Sequence, residues 1–454
     1  MLSYAEQAKM TEYLTSIYDR IELELLRNLA SAFANAKFGG ATEWRAQMLE
    51  RMGWYNRKNA AMIARYSGQS EKAVAEIFRD LSVKALAGEE TVYQTAFDRG
   101  LLPPGKGRPV NPEESAAISQ VLDAAIGNAD SYLNLVNTTC AECAQSAYID
   151  VVNKTYIETA TGIKDYNTAI RQAVNTLAQN GLTTVTYHRR DGTAIQYPVD
   201  AAVRRNIMTS IGQTTARMQL TRAEEWGSNY MEVTSHAGAR PSHAEWQGQV
   251  YMIHGSSDEY KNLYDATGYG TGDGLCGWNC RHNLYPFIPG ISVRGSFPID
   301  EAQNQREYEL TQQQRKLERD VRRLRRECVA SDALGDKAAF MKSSQQLKNK
   351  EAELKDFMER TDRTQAARVS TAGFGRSVSQ KAVQANKKVK QNIAFQQTLL
   401  DRFGIDAKGF ETYQGAPSVL DEMVSMIDKL HKDFPDDVAK MILRYADLKP
   451  LSTT

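Results

Sequence analysis

The chain has 454 residues, too many for one hydrophobic core and enough for about three domains. Its 56 Lys and Arg against 55 Asp and Glu, with 42% hydrophobic residues, describe an ordinary globular protein and exclude a disordered chain; no run approaches the ~18 apolar residues of a membrane helix. The polar opening MLSYAEQAKMTEYL lacks the basic head and apolar stretch of a secretory leader, and five cysteines without a regular framework argue against a disulfide-stapled domain, so a reducing cytoplasm is the expected first compartment.

The first third reads as helices. Leu14, Ile17, Ile21, Leu25 and Leu29 recur at helical spacing and predict a long amphipathic helix ending near Gly39 and Gly40. A second helix is expected from Thr42 to a break at Ser67-Gly68, and a third behind Ser70 as N-cap, with Glu71 in its first turn. The run LLPPGKGRPVNPEES interrupts this pattern. Asn111 as cap, Pro112 in the first turn, and Glu113 and Glu114 against the helix dipole open the next helix. Cys140 and Cys143 lie on it with no second pair and no nearby His, and read as packing residues.

After Gly162 the texture changes. Thr183, Val185 and Tyr187 alternate before an Asp191-Gly192 turn, with Ile195 and Tyr197 beyond it, which predicts a β-hairpin. Asp200 is the expected cap of a helix carrying Val203, Ile207 and Ile211 on one face and stopped by Gly227; Tyr230 to Thr234 reads as a short strand.

From Pro298 onward the chain is strongly charged and helical. Leu310, Gln314, Leu317, Val321, Leu324 and Cys328 follow a heptad seam, Ser331 to Asp336 makes a turn, and Phe340, Leu347 and Leu354 return as the second arm of a helical hairpin. Gln303 to Asn392 holds a surplus of about nine positive charges. Arg315, Arg319, Arg322, Arg323, Arg325 and Arg326 form its densest part and are candidate phosphate contacts for nucleic acid; the alternative is a solvated coiled-coil face. VSTAGFGRSVSQKAVQANKKVK reads as a flexible basic connector, and Ile393 to Leu448 as a helical tail. The expected fold class is α+β, mostly α: a helical module over residues 1–160, a small α+β domain over 163–290, a basic coiled-coil-like hairpin with its connector over 298–392, and a small helical tail over 393–454.

Four of the six histidines and two of the five cysteines crowd between Ser235 and Gly290, in SHAGARPSHAEWQGQVYMIHG and TGYGTGDGLCGWNCRHNLYPFIPG. His236, His243, Cys276 and Cys280 supply two imidazoles and two thiolates, a set that could close a tetrahedral zinc site. The structural alternative makes the cysteines small buried residues and lets the histidines bond backbone around a turn. A hydrolytic reading takes His236 or His243 as general base, Arg240 and Arg281 as anion stabilisers and Glu245 as a second acid or base, a set suited to phosphodiester cleavage. No phosphate loop, nucleophile elbow or HExxH pair accompanies it, and GYGTGDG lacks the flanking strand and helix of a phosphate-binding turn.

The run from SHAGARPSHAEWQGQVY through GLCGWNCRHNLYPFIPG resembles the signature of the phage minor capsid protein 2 family, and more distantly is similar to the head-morphogenesis proteins of Mu-like phages. The Asn-Cys-Arg-Cys motif of the latter reads Asn279-Cys280-Arg281-His282 here. The helical N-terminus and YELTQQQRKLERDVRRLRR extend the resemblance to about residue 360. It implies a structural rather than enzymatic protein with no cofactor, in which Trp246, Gly248, Trp278, Asn279, Cys280, Arg281 and His282 mark a fold. It also implies a virion location at the portal vertex or capsid interior, reached from the host cytoplasm during head assembly and DNA packaging. The implied partners are the portal protein, other capsid proteins and packaged DNA, without a membrane and in multiple copies per particle.

Overall fold

A computed structural model describes residues 4–34, 36–86, 89–103, 109–188, 191–297, 299–363, 376–407, 409–415 and 417–433. Helices α1 (Tyr4–Met10) and α2 (Glu12–Ala34) open the chain, and α2 buries Leu14, Ile17, Ile21, Leu25 and Leu29 as their spacing predicts. The next helix, α3 (Ala41–Leu86), runs straight through the break expected at Ser67-Gly68. Ser70 donates back to the Ser67 and Tyr66 carbonyls (2.8 and 3.2 Å) instead of capping a new helix, and Ser67 accepts a bond from Asn137 (3.1 Å). Met62, Ile63, Tyr66, Val74, Ile77 and Phe78 form one buried stripe across the glycine. Packing along that stripe outweighs the ~1 kcal/mol that a mid-helix glycine costs.

A short α4 (Glu90–Asp98) and a 3-10 turn, Pro112–Glu114, lead to α5 (Ala116–Ala160). The expected cap moves: Asn111 makes no capping bond, whereas Ser115 accepts from the Ile118 amide (3.3 Å), because the proline and two acids are taken up by the 3-10 turn. Residues 104–108 of the interrupting run lie outside the described residues. Cys140 is buried in the core, and the half-buried Cys143 points its thiol at the Thr184 carbonyl.

After α6 (Tyr166–Asn180), strands β1 (Thr184–His188) and β2 (Ala194–Pro198) form the predicted antiparallel hairpin, with Val185 opposite Tyr197 and Tyr187 opposite Ile195. Helix α7 (Val199–Trp226) follows at once and stops at Gly227, whose φ of 72° suits a residue without Cβ. Pro198, not Asp200, holds the cap position; Asp200 is buried in the first turn, paired with Arg322.

α7 is the spine of the molecule. Val203, Ile207 and Ile211 join the main core with α2, α3, α5 and α6, while Leu220, Ala223 and Trp226 join a second core with α4 and a three-stranded sheet. That sheet has the order β4 (Val250–Met252), β3 (Tyr230–Val233), β5 (Leu284–Pro286), antiparallel throughout, with α8 (Pro241–Ala244) and α9 (Leu263–Thr267) in its connections. The main core therefore crosses the expected boundary near residue 160.

Helices α10 (Glu301–Leu334) and α11 (Lys337–Arg360) make the expected helical hairpin, turning at Gly335 (φ 74°) and Asp336, whose carboxylate caps α11. Leu317, Val321, Leu324 and Cys328 pack with Phe340, Leu347 and Leu354. The expected connector is corrected in part. Residues 369–375 lie outside the described residues, but α12 (Arg376–Phe403) begins at Arg376 and lays Val378, Ala382, Ala385 and Val389, an apolar stripe hidden among lysines, on the hairpin. Within the expected tail of 393–454, α13 (Pro417–Asp433) packs Leu420 and Ile427 on Phe395 and Leu399; residues 434–454 lie outside the described residues. No described helix is long and apolar enough to cross a membrane.

Candidate functional site

Antiparallel register decides where the polar side chains of the window gather. Val233 pairs with Leu284, and its amide and carbonyl bond Gln249 and Gly248, so the end of β3 and the starts of β4 and β5 share one sheet edge. His236 lies just beyond β3, Gln247 just before β4, and His282 just before β5. The short α8 adds His243 from above. The result is a layer of three imidazoles: His236 and His282 are 4.4 Å apart by ring centroid, and His243 and His282 5.4 Å. Trp246 seals it, packing on His243 at 4.6 Å and edge-on to His282 at 4.7 Å.

The glycine-rich stretch from Gly268 to Cys280 folds back on itself beneath this layer. A Cβ on Gly274 would stand 2.0 Å from the Gly268 carbonyl oxygen, and one on Gly277 2.3 Å from that of Gly272, so these two positions admit only glycine. The knot is tied by amide bonds from Leu275 to Thr267 and from Trp278 to Gly272 (3.0 and 2.7 Å). Cys276 and Asn279 are forced to left-handed φ values of 57° and 56°, a strained conformation for residues with side chains. The knot delivers Cys280 to the histidines, its Sγ 3.4 Å from His282 Nδ1, and turns Cys276 away, where its thiol faces the His282 carbonyl at 3.7 Å.

Burial disfavours the charged form of all three imidazoles. Burial, then the nearby Arg281 and His243, push His236 down to about 4; burial, then Arg240, lower His243; burial, then the other two imidazoles, press His282 far down. Burial likewise raises the Cys276 and Cys280 thiols. Each ring also has one nitrogen against a carbonyl oxygen: His236 Nδ1 with Ala237 (3.0 Å), His243 Nε2 with Asp273 (2.8 Å), His282 Nε2 with the Gln247 side chain (3.1 Å). Gln247 Oε1 also accepts from the His236 amide (3.1 Å), which fixes its orientation.

The structure redistributes the residues singled out in the sequence. Of the candidate metal set, His243 and Cys280 meet, joined by His282, with ligand atoms all within 4.8 Å of one another; His236 stacks on the group and Cys276 stands apart. Of the hydrolytic set, Glu245 is exposed at the end of α8, Arg240 is spent on the Trp278 carbonyl, and His236 and His243 are weak bases. Trp246 and Gly248 are buried in the fold, whereas Trp278 is 58% exposed. His254, the fourth histidine of the window, sits on the surface near Glu224.

The arginines of α10 are also placed. Arg322 and Arg325 are buried, paired with Asp200 and Glu351; Arg323 pairs with Glu327 and Asp320; Arg326 donates to the Ala178 and Gln179 carbonyls at the end of α6. Arg315 also has a partner, and Arg319 is exposed. Much of the helix's charge is thus directed inward.

Two anchors were missed in the sequence. Asn304, buried in the first turn of α10, exchanges two 2.8 Å bonds with the Ala239 backbone and fixes the His236–Arg240 turn, where Gly238 lies against the backbone of Glu307 and Tyr308. Fully buried Arg222 of α7 grips Glu90 of α4 in a fork and also Glu225, with Trp226 donating to the same Glu90 (3.2 Å). An acid on one short helix and an arginine on a distant one leave no periodic signal.

The structural protein of Lactococcus phage LL-H is 23% identical over 348 residues, covering 75% of this chain and 91% of that protein. The structural protein of Lactococcus phage mv4 is 31% identical over 104 residues, 23% of this chain and 84% of that one. No solved structure matches the chain. The model of the family described as phage minor capsid protein 2 matches residues 6–359, from α1 to the last turn of α11. The chain belongs to the phage minor capsid protein 2 family.

Proposed function

We propose that the protein is a structural component of the phage head, built in at the portal vertex or on the capsid interior while the head assembles and packages DNA. Its partners in this reading are the portal protein and neighbouring capsid proteins, and it is present in several copies per particle. The observation that carries the reading is the family match across the whole body from α1 to α11, together with relatives named structural proteins. The site geometry supports it. Polar groups of the window turn inward onto each other and onto backbone carbonyls, an arrangement that stiffens a fold instead of presenting a nucleophile or base to a substrate. Packaged DNA is a partner only of outward charge such as Lys316 and Arg319, since Arg322 and Arg325 neutralise acids within the protein.

The test is the combined variant His236→Ala, Arg240→Ala, His243→Ala, introduced into the phage. The expected result is loss of DNA-filled heads, with the purified variant and parent equally inactive on RNA and DNA. Normal particles that have lost a nucleic-acid cleavage activity present in the parent would overturn the proposal. A reconstruction of the portal vertex of the parent particle then locates the chain.

A further inference from the structure

We infer that His236, His243, Cys280 and His282 bind one zinc ion, which locks the edge of the three-stranded sheet. Two observations concern His243, Cys280 and His282, and a third brings in His236, whose ring lies 4.4 Å from that of His282. His243, Cys280 and His282 place their ligand atoms within 4.8 Å of one another, buried or half-buried. The Cys280 Sγ to His282 Nδ1 distance of 3.4 Å is already the edge of a tetrahedron with metal bonds of about 2.0–2.3 Å, which is about 3.5 Å. Finally, each imidazole gives one nitrogen to a carbonyl acceptor, so its proton is held there and the other nitrogen keeps its lone pair.

This last point decides the ligand atoms. His282 offers Nδ1, because Gln247 Oε1 holds Nε2–H; His243 offers Nδ1, because the Asp273 carbonyl holds Nε2–H. His236 offers Nε2, which is buried and, among the described residues, has no hydrogen-bond partner. Carbonyl acceptors behind metal-binding imidazoles are the usual outer shell of a zinc centre. Three neutral nitrogens and one thiolate, the thiol giving up its proton on binding, match a borderline-soft four-coordinate ion and leave no open position, which makes the role structural. Cys276 is excluded, since the glycine knot turns its thiol to the His282 carbonyl. This ligand set differs from the one expected from sequence by exchanging Cys276 for His282.

The inference is independent of where the protein sits in the virion. Full-length protein produced with zinc in the medium should carry roughly one zinc per chain by elemental analysis. Metal-free protein titrated with cobalt(II) should develop a thiolate charge-transfer band and the intense visible bands of a four-coordinate ion, saturating at about one equivalent. Cys280→Ser should abolish the charge-transfer band and Cys276→Ser should keep it. Gln247→Leu, which releases the His282 ring, should weaken binding about 10–100-fold. Wild-type protein with no zinc and no cobalt(II) spectrum overturns the proposal without reliance on any variant, and so does a band lost in Cys276→Ser but retained in Cys280→Ser.

Discussion

Buried ionisable side chains on three helices meet around Arg322, and their balance can be read through a single carboxyl. Asp19 of α2 faces Asp200 of α7 and Arg322 and Arg325 of α10, with Glu22 on its own helix; burial first, then the Asp200 charge, push it up to about 7 against the pull of the arginines. The folded state therefore binds more protons than the unfolded chain between 3.8 and about 7, so Asp19 lowers stability progressively as pH rises across that window and by a constant amount above it. Asp19→Asn removes this dependence. Its stability relative to the parent should rise with pH by up to about 1 kcal/mol per unit between those limits and then level off, as measured by urea denaturation at several pH values. A pH-independent difference would show that Asp19 is ionised throughout. The same cluster explains a limit of sequence reading. The basic run of α10 was plain in composition, but that Arg322 answers Asp200 and Arg326 answers the α6 carbonyls depends on helices far apart in sequence. The window between Ser235 and Gly290 was legible as a site, while its membership was not: His282 joins and Cys276 leaves because of a strained backbone that no spacing rule reports.

Elements defined by periodicity were legible wherever one stripe met one core, as in α2, the β1–β2 hairpin and the α10–α11 pair. Punctuation was misleading where packing opposed it. Ser67, Gly68 and Ser70 carry the local marks of a helix end and a new cap, yet α3 continues because Tyr66 and Val74 are held on the same side by the main core. Gly68 is exposed and a Cβ there would meet nothing within 4 Å. Gly68→Ala should therefore stabilise the protein by about 0.5–1 kcal/mol, seen as a higher urea midpoint at unchanged slope. Destabilisation by the same change would mean that α3 bends or breaks at this point. In α12 the error ran the other way: lysines and small residues suggest a connector, but Val378, Ala382, Ala385 and Val389 fall on one face and find the hairpin.

At the scale of the molecule, the chain order of composition shifts does not coincide with the partition of apolar surface. One core takes Leu14 to Phe33 from α2, Trp44 to Leu86 from α3, Ile118 to Val152 from α5, Ile170 to Ala178 from α6, the first half of α7, and Ala330 from α10. A helical module ending at residue 160 would keep α2, α3 and α5 but lose the cover supplied by Ile170, Val174, Val203, Ile207 and Ile211. It would also lose the α10 arginines that offset the half-buried Asp19 of α2. Uncovering the apolar surface that five large aliphatic side chains shield costs on the order of 1.5–3 kcal/mol for each one lost, a sum comparable with the entire stability of a domain. The fragment 1–160 should accordingly retain helix by circular dichroism but melt without cooperativity and bind a hydrophobic dye, whereas co-expression with 163–454 should restore a single sharp transition. A sharp, dye-silent transition in the isolated fragment would show that the N-terminal helices fold alone and that α7 joins two finished bodies. The expected result instead makes α7 a structural part of both bodies, since Trp226 at one end packs in the sheet core and Ile207 at the other in the main core.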